Sequence, residues 1–208
     1  MTSRILAIPR PRTESGLRPA APRRAEGAVR RGPVISLLGP VRAWADGCPL
    51  LPGTPVQQAL LAMLALRAGQ EVSVTELIEG IAGAVVEEEV ELAEEELHLH
   101  ASRARRLFLR EGDRDGAPLH ATGVGYRLLI TPTQVDAIAF EHAVGDAQVL
   151  AGLDPAAAEL LLDNALARWR GVPLQGVPGP FAEWERARLW DLHQDATVML
   201  RRLRLLRR

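Results

Sequence analysis

The chain has 208 residues, 47% of them apolar and 25% charged, which is enough for one or two small domains with a core that needs no disulfide framework. One cysteine, Cys48, excludes an internal disulfide or a cysteine-ligated zinc cluster, and apolar runs such as residues 59–66 are far shorter than the roughly 20 residues of a membrane-spanning helix. The net charge of −1 conceals an uneven distribution, and all 25 basic residues are arginine, whose planar fork holds phosphate or carboxylate in bidentate fashion.

Residues 1–33 carry eight arginines against Glu14 and Glu26, with five prolines and no apolar periodicity. They read as a disordered Arg/Pro-rich arm, either a basic attachment to DNA or a plain solvated tail. Their apolar run, residues 5–8, is too short for a secretory signal, so the expected location is cytoplasmic. From Val34 the pattern changes. Val34, Ile35, Leu37 and Leu38 end at Gly39-Pro40, Val41, Ala43 and Ala45 alternate with polar neighbours, and Cys48 to Leu51 follow, which predicts a small antiparallel meander.

Thr54-Pro55-Val56-Gln57 is a capping box with proline at the first helical position, and predicts a helix with Val56, Ala59, Leu60, Met63 and Leu64 on one face and a stop at Gly69. Ser73 to Glu76 form a second capping box, opening a short helix through Leu77, Ile78 and Ile81 to Gly83. Two helices so closely spaced suggest a helix-turn-helix. A third helix is predicted over residues 87–110, with Leu97, Ala101, Ala104 and Phe108 as its buried stripe. His98, Ser102 and Arg105 then share one flank, and Arg103, Arg106 and Arg110 another. Residues 111–116 read as a turn-rich break, and residues 119–130, alternating around Gly123 and Gly125, as a hairpin.

Beyond it, residues 136–151 read as a helix with Phe140, Val144, Ala147 and Val149 as its apolar positions, and Asp154-Pro155 caps another in which Ala158, Leu162, Ala165 and Trp169 share a face. A last helix from about Phe181 repeats Leu189, Leu192, Ala196, Met199, Leu203 and Leu206 at spacings of 3 and 4, a packing seam with five arginines in its final turns. Trp169, Trp184 and Trp190 are expected in the core. The helical part is short for a stacked array and is expected to present apolar surface to a second copy, a polymerase or its own chain.

Five short pieces in order resemble one family. They are Leu37-Leu38-Gly39-Pro40-Val41, Gln57-Gln58-Ala59-Leu60-Leu61-Ala62, residues 72–78 (Val72 to Ile78), residues 101–107 (Ala101 to Leu107) and Gly125-Tyr126-Arg127-Leu128. This ordered set is similar to the winged-helix DNA-binding domain shared by response-regulator effectors and the antibiotic regulatory protein (SARP) family of actinomycete activators. Phe140-Glu141 and residues 165–174 (Ala165 to Leu174) resemble the start of the bacterial transcriptional activation domain that follows it. The resemblance implies an α+β chain: a winged helix-turn-helix of response-regulator effector type over residues 34–131, then an all-α tetratricopeptide-like helical module over residues 132–208. It also implies a nucleoid-associated activator of a specialised-metabolite gene cluster that recruits RNA polymerase, with protomers, as a possible homodimer, on direct repeats in promoter double-stranded DNA. Leu97, His98, Ser102, Arg103, Arg105, Arg106, Tyr126 and Arg127 are its expected DNA-contacting residues.

The distribution of acid opposes this. Between Arg67 and Arg103 there is no basic residue, while ten glutamates fall in that interval, seven of them within residues 87–96. A carboxylate can accept from cytosine N4, but seven repel phosphate. Two readings therefore stand: a DNA-binding regulator in which the arginines prevail, and a degenerate winged helix whose acidic face makes it a protein-interaction module or modulator. Other chemistry is not supported. His98 and His100 are two apart and point to opposite sides of a helix, so neither they nor the i,i+4 pairs Glu94/His98 and Glu96/His100 are taken as metal ligands. Gly123-Val124-Gly125 lacks the third glycine and following helix of a phosphate cradle, and no nucleophile and base stand in order, so no catalytic residue, cofactor or enzyme activity is expected.

Overall fold

A computed structural model of the chain describes residues 32–83, 90–109 and 117–206. The arm up to residue 31, residues 84–89 with three of the glutamates, Arg110, the break at 111–116 and the last two arginines lie outside the described residues. Residues 31–208 form one compact unit.

The first sheet is the expected meander: β1 (Val34–Ser36), β2 (Arg42–Ala45) and β3 (Cys48–Leu50), antiparallel in that order. Asp46 and Gly47 join β2 to β3 with φ of 50° and 78°, the left-handed pair that matches the natural strand twist in a two-residue hairpin. Helix α1 (Pro55–Leu66) starts at the full Thr54/Gln57 box, with Thr54 N–H donating to Gln57 Oε1 at 2.9 Å. Its buried face runs almost all round, from Ala59 to Ala65, so α1 is the central rod of this half.

The second box is only half made. Ser73 Oγ caps the Glu76 N–H at 3.1 Å at the start of α2 (Val74–Ala82), but the Glu76 carboxylate turns away to Arg67 Nη2 at 2.8 Å. Glu71, Val72 and Ser73 form a further strand, β4 (Glu71–Ser73), which the sequence pattern does not suggest. Helix α3 (Val90–Leu107) follows, then β5 (Leu119–Ala121) and β6 (Gly125–Leu128). The second sheet is antiparallel with order β4-β6-β5, so the terminal hairpin is anchored by the strand that precedes α2.

Gly125 is where β6 meets β4 most closely: a Cβ there would lie 2.0 Å from Val72 O and 2.7 Å from Ser73 Cα. Gly125→Ala is expected to push the hairpin off β4 and cost about 2 kcal/mol, a fall of some 4–8 °C in melting temperature. Thermal unfolding followed by circular dichroism checks it, and an unchanged melt would mean that the pairing is softer than this geometry.

After a 3-10 turn (Pro132–Gln134) come α4 (Asp136–Leu150), α5 (Pro155–Leu166) and α6 (Pro180–Leu206). Asp154 caps α5 through Ala157 N–H at 3.0 Å, as the sequence suggests. α4 and α5 pack as a hairpin, and α6 lies along α5 with Leu189, Ala196, Leu200 and Leu203 buried. Arg204 fastens it to Asp163 at 2.6 Å and Glu159 at 3.3 Å, and those carboxylates raise the arginine's pKa.

The two halves share one core. Asp136 Oδ1 accepts from Leu37 N–H at 2.6 Å, and its Oδ2 accepts from Ser36 Oγ and Arg170 Nη2, each at 2.7 Å. Arg170 N–H returns to Leu38 O at 2.8 Å, and Gln134 Nε2 donates to Pro33 O at 2.6 Å. At the other end, α2 packs against α6.

Candidate nucleic-acid interface

Helix α3 is held by the stripe its spacing predicts: Leu97, Ala101, Ala104 and Phe108 are buried against α1, α2 and β5. That placement corrects one expected contact. Leu97 is 4% exposed and belongs to the core, because it is itself part of the repeat that buries the helix. The flank of His98, Ser102 and Arg105 runs along the β5–β6 hairpin, one turn of helix apart at each step. Arg103 and Arg106 are exposed and face outward with Leu99 and Glu95.

Strand alternation divides the two hairpin residues. Tyr126 pairs with Val72 and Ala121, sits on the face turned to α3 and is 7% exposed, so it is not an open contact for a DNA backbone. Its hydroxyl is hydrogen-bonded to Nδ1 of the exposed His98, with ring centroids 5.8 Å apart, and burial pushes the phenol pKa up. Arg127 pairs with Glu71 and His120 and sits on the opposite face of the sheet, 3.8 Å from the Glu71 carboxylate. The two therefore do not work from one surface. The period-2 pattern of Tyr126 and Leu128 against Arg127 is the sequence signal for this separation.

Between α3 and the hairpin lies a cleft of about 90 Å³ lined by Ala101, Ser102, Arg105, Leu119, Ala121 and Tyr126. Arg105 Nε is buried at its edge without a hydrogen-bond partner among the described residues, and Arg127 Nε behind the sheet is likewise unpaired among them. The charge on α3 is graded along its axis, with Glu94, Glu95 and Glu96 in its first half and Arg103, Arg105 and Arg106 in its last turns. This order matches the helix macrodipole, and it leaves the C-terminal half as the cationic end. Among the described residues no three His, Cys, Asp or Glu side chains converge on a metal position.

In the helical half, Trp169 packs edge-on against Phe140 at 5.3 Å and His193 at 4.4 Å, and burial lowers the His193 pKa. Trp184 and Trp190 are not core residues as expected: they are 65% and 47% exposed, because α6 turns only its Leu189/Ala196/Leu203 seam inward. Arg186 holds the preceding loop by donating to the carbonyls of Pro173, Leu174 and Val177 at 3.1–3.2 Å. Arg188 bridges the buried Glu185 and Glu141, and its pKa is raised chiefly by the bond to Glu185. No helix among the described residues is long and apolar enough to cross a membrane.

Comparison with known proteins bears on both halves. The family model of the bacterial transcriptional activator domain matches residues 135–206. The regulatory protein AfsR of Streptomyces coelicolor is 37% identical over 185 residues, 87% of this chain and 17% of AfsR. The transcriptional regulator RedD of the same organism is 33% identical over 70% of this chain and 43% of RedD, and the transcriptional regulatory protein EmbR of Mycobacterium tuberculosis is 35% identical over 69% of this chain and 36% of EmbR. The solved structure of M. tuberculosis EmbR in complex with a low affinity phosphopeptide superposes with a TM-score of 0.72 at 26% identity, covering 85% of this chain and 46% of that one. The mixed architecture of small sheets and a helical part is thus similar to that of EmbR, while the chain spans less than half the length of the relatives it matches. These homologues are named as regulatory proteins. Residues 135–206 thus carry the bacterial transcriptional activator domain, and over the span it shares with them the chain is homologous to AfsR, RedD and EmbR, transcriptional regulators of the SARP family.

Proposed function

We propose that the chain is a sequence-specific DNA-binding transcriptional regulator: α1, α2, α3 and the β5–β6 hairpin act as a winged helix-turn-helix, and α4 to α6 as a tetratricopeptide-like module that meets a partner. The observation that carries this reading is the cationic C-terminal half of α3, where Arg103 and Arg106 are exposed and Arg105 lines the cleft beside the hairpin. A helix presented in this way enters a major groove, its arginines taking phosphates and its polar flank taking base edges. His98, Ser102, Arg103, Arg105 and Arg106 are the contact set, with Arg127 reaching backbone from the far face of the hairpin.

The names of the relatives support transcriptional regulation; activation of a specialised-metabolite gene cluster, in the cytoplasm at the nucleoid, through contact with RNA polymerase and with protomers on direct repeats is proposed from the family resemblance. A mobility-shift titration on the promoter of the chain's own gene cluster at about 0.15 M salt tests the reading. A saturable complex is expected, and its absence overturns it. A pull-down of RNA polymerase with the purified chain tests the partner.

The acidic turns of α3 favour the second reading, a protein-interaction module without DNA binding. The two separate on one triple variant. If α3 lies against a duplex, Glu94→Gln/Glu95→Gln/Glu96→Gln removes repulsion and tightens binding, by about 1.4-fold per carboxylate through screened solvent at roughly 8 Å and by about 3-fold in all. If the acidic face holds a basic partner, the same variant leaves DNA unbound and loses the partner. Fluorescence anisotropy with a labelled duplex distinguishes the outcomes.

A further inference from the structure

We propose that Tyr126 sets the tautomer of His98, turning its Nε2–H outward as a donor that selects an acceptor-bearing base edge: a purine N7, guanine O6 or thymine O4. The proposal rests on the DNA-binding reading above and assigns to Tyr126 a positioning role in place of a contact.

Hydrogen-bond valence decides the tautomer. Tyr126 is 7% exposed, and its hydroxyl bond among the described residues goes to His98 Nδ1. A phenol carries one proton to donate, and a neutral imidazole has one donor and one acceptor nitrogen. If Nδ1 carried the proton, it would donate to the phenol oxygen and leave the part-buried O–H without an acceptor among the described residues, a cost that the opposite arrangement avoids. Tyr126 O–H therefore donates to a bare Nδ1, and the ring proton resides on Nε2. Burial keeps the phenol protonated, which maintains its role as donor.

The geometry then presents that proton. His98 is exposed on α3, on the flank it shares with Ser102 and Arg105. Its ring is tilted 58° to Tyr126, and Nε2, across the ring from Nδ1, has no partner among the described residues. A side chain anchored at one nitrogen by a buried, packed phenol has few orientations left, so it discriminates rather than adapts. Guanine and adenine offer N7 to such a donor in the major groove, guanine adds O6 and thymine offers O4, whereas the cytosine edge offers only its N4 amino donor. The site selected by this protein should therefore exclude cytosine at the position His98 meets.

Two measurements test it, one of them independent of DNA. Long-range ¹H–¹⁵N correlation spectra of the wild-type chain should show His98 as the Nε2–H tautomer, with the Tyr126→Phe variant shifting to a mixture. A dominant Nδ1–H tautomer in the wild type overturns the proposal even if the variant unfolds. Selection from randomised duplexes should then show wild type preferring an acceptor-bearing base to cytosine at one position by about 5- to 10-fold, the value of one good base contact. Tyr126→Phe should reduce that ratio below about 2-fold while its affinity for nonspecific duplex stays within about 2-fold of wild type, and His98→Ala should likewise reduce the ratio below about 2-fold. An unchanged preference in Tyr126→Phe, with wild type still binding, overturns this proposal alone. Absence of any saturable duplex complex with wild type removes it together with the DNA-binding reading.

Discussion

The triple variant Arg103→Ala/Arg105→Ala/Arg106→Ala should bind duplex DNA about 100-fold more weakly than wild type at roughly 0.1 M salt, and should do so for specific and unrelated sequences alike. Arg103 and Arg106 point to solvent from the last turns of α3, and Arg105 lines the cleft between that helix and the hairpin with a buried Nε that has no hydrogen-bond partner among the described residues. Removing three arginine–phosphate pairs should also flatten the slope of log K against log salt by about 2.7, since each pair supplies roughly 0.9 through counterion release. The slope separates a missing charge from a damaged fold, which would lower affinity without a matching change in salt dependence. The stripe that fixes α3 is Leu97, Ala101, Ala104 and Phe108, untouched by these changes, so the melting temperature should move little. Equal affinity and equal slope in the two proteins would remove the arginines from the mechanism and leave the acidic turns of the same helix as its working surface.

Much of this arrangement is legible in the chain because the signals are short-range and chemical. The Thr54/Gln57 box, the Asp154 cap and the 4-3-4 spacing from Leu97 to Phe108 each lie within a few turns of one helix, and each is realised. What escapes depends on residues far apart. Glu71-Val72-Ser73 is too short to carry a period, and becomes a strand only because β6 lies beside it. Glu76 leaves its box because Arg67, nine residues earlier, offers a charged partner. Adjacency in sequence groups Tyr126 with Arg127, although neighbouring strand residues face opposite sides. Residue type alone puts Trp184 and Trp190 in the core, but the position of the seam on α6 decides, and it leaves both outside. The least legible feature is the carboxylate of Asp136, which reads as an ordinary acidic residue in the first turn of a helix.

In the fold, that carboxylate ties together segments about 100 residues apart, and its removal should be the most damaging single change to stability. Asp136→Ala takes the acceptor from Leu37 N–H and Ser36 Oγ at the end of β1, and from Arg170 in the loop after α5. The Asp136 side chain is 13% exposed and that of Arg170 38%, so water can compensate the arginine more readily than the strand end. Each of the two orphaned buried donors, Leu37 N–H and Ser36 Oγ, costs about 1–3 kcal/mol, and the exposed arginine adds little. A total near ~4 kcal/mol corresponds to a drop of roughly 10 °C for a domain of this size. The neighbouring backbone bonds, Arg170 N–H to Leu38 O and Leu174 N–H to Leu37 O, lie in the same seam and should open with it. Hydrogen exchange should therefore accelerate at Leu37, Arg170 and Leu174 together, while the amides of α1 lose only the global difference. Asp136→Asn, which keeps one acceptor, should recover more than half of the stability. If the alanine variant melts within about 2 °C of wild type, the β1 end is satisfied by solvent and the sheet and the activator domain are joined by apolar packing and the backbone bonds of the seam without help from this carboxylate. If instead it melts in two separate transitions, this carboxylate is what makes the sheet-bearing half and the activator domain unfold as one body.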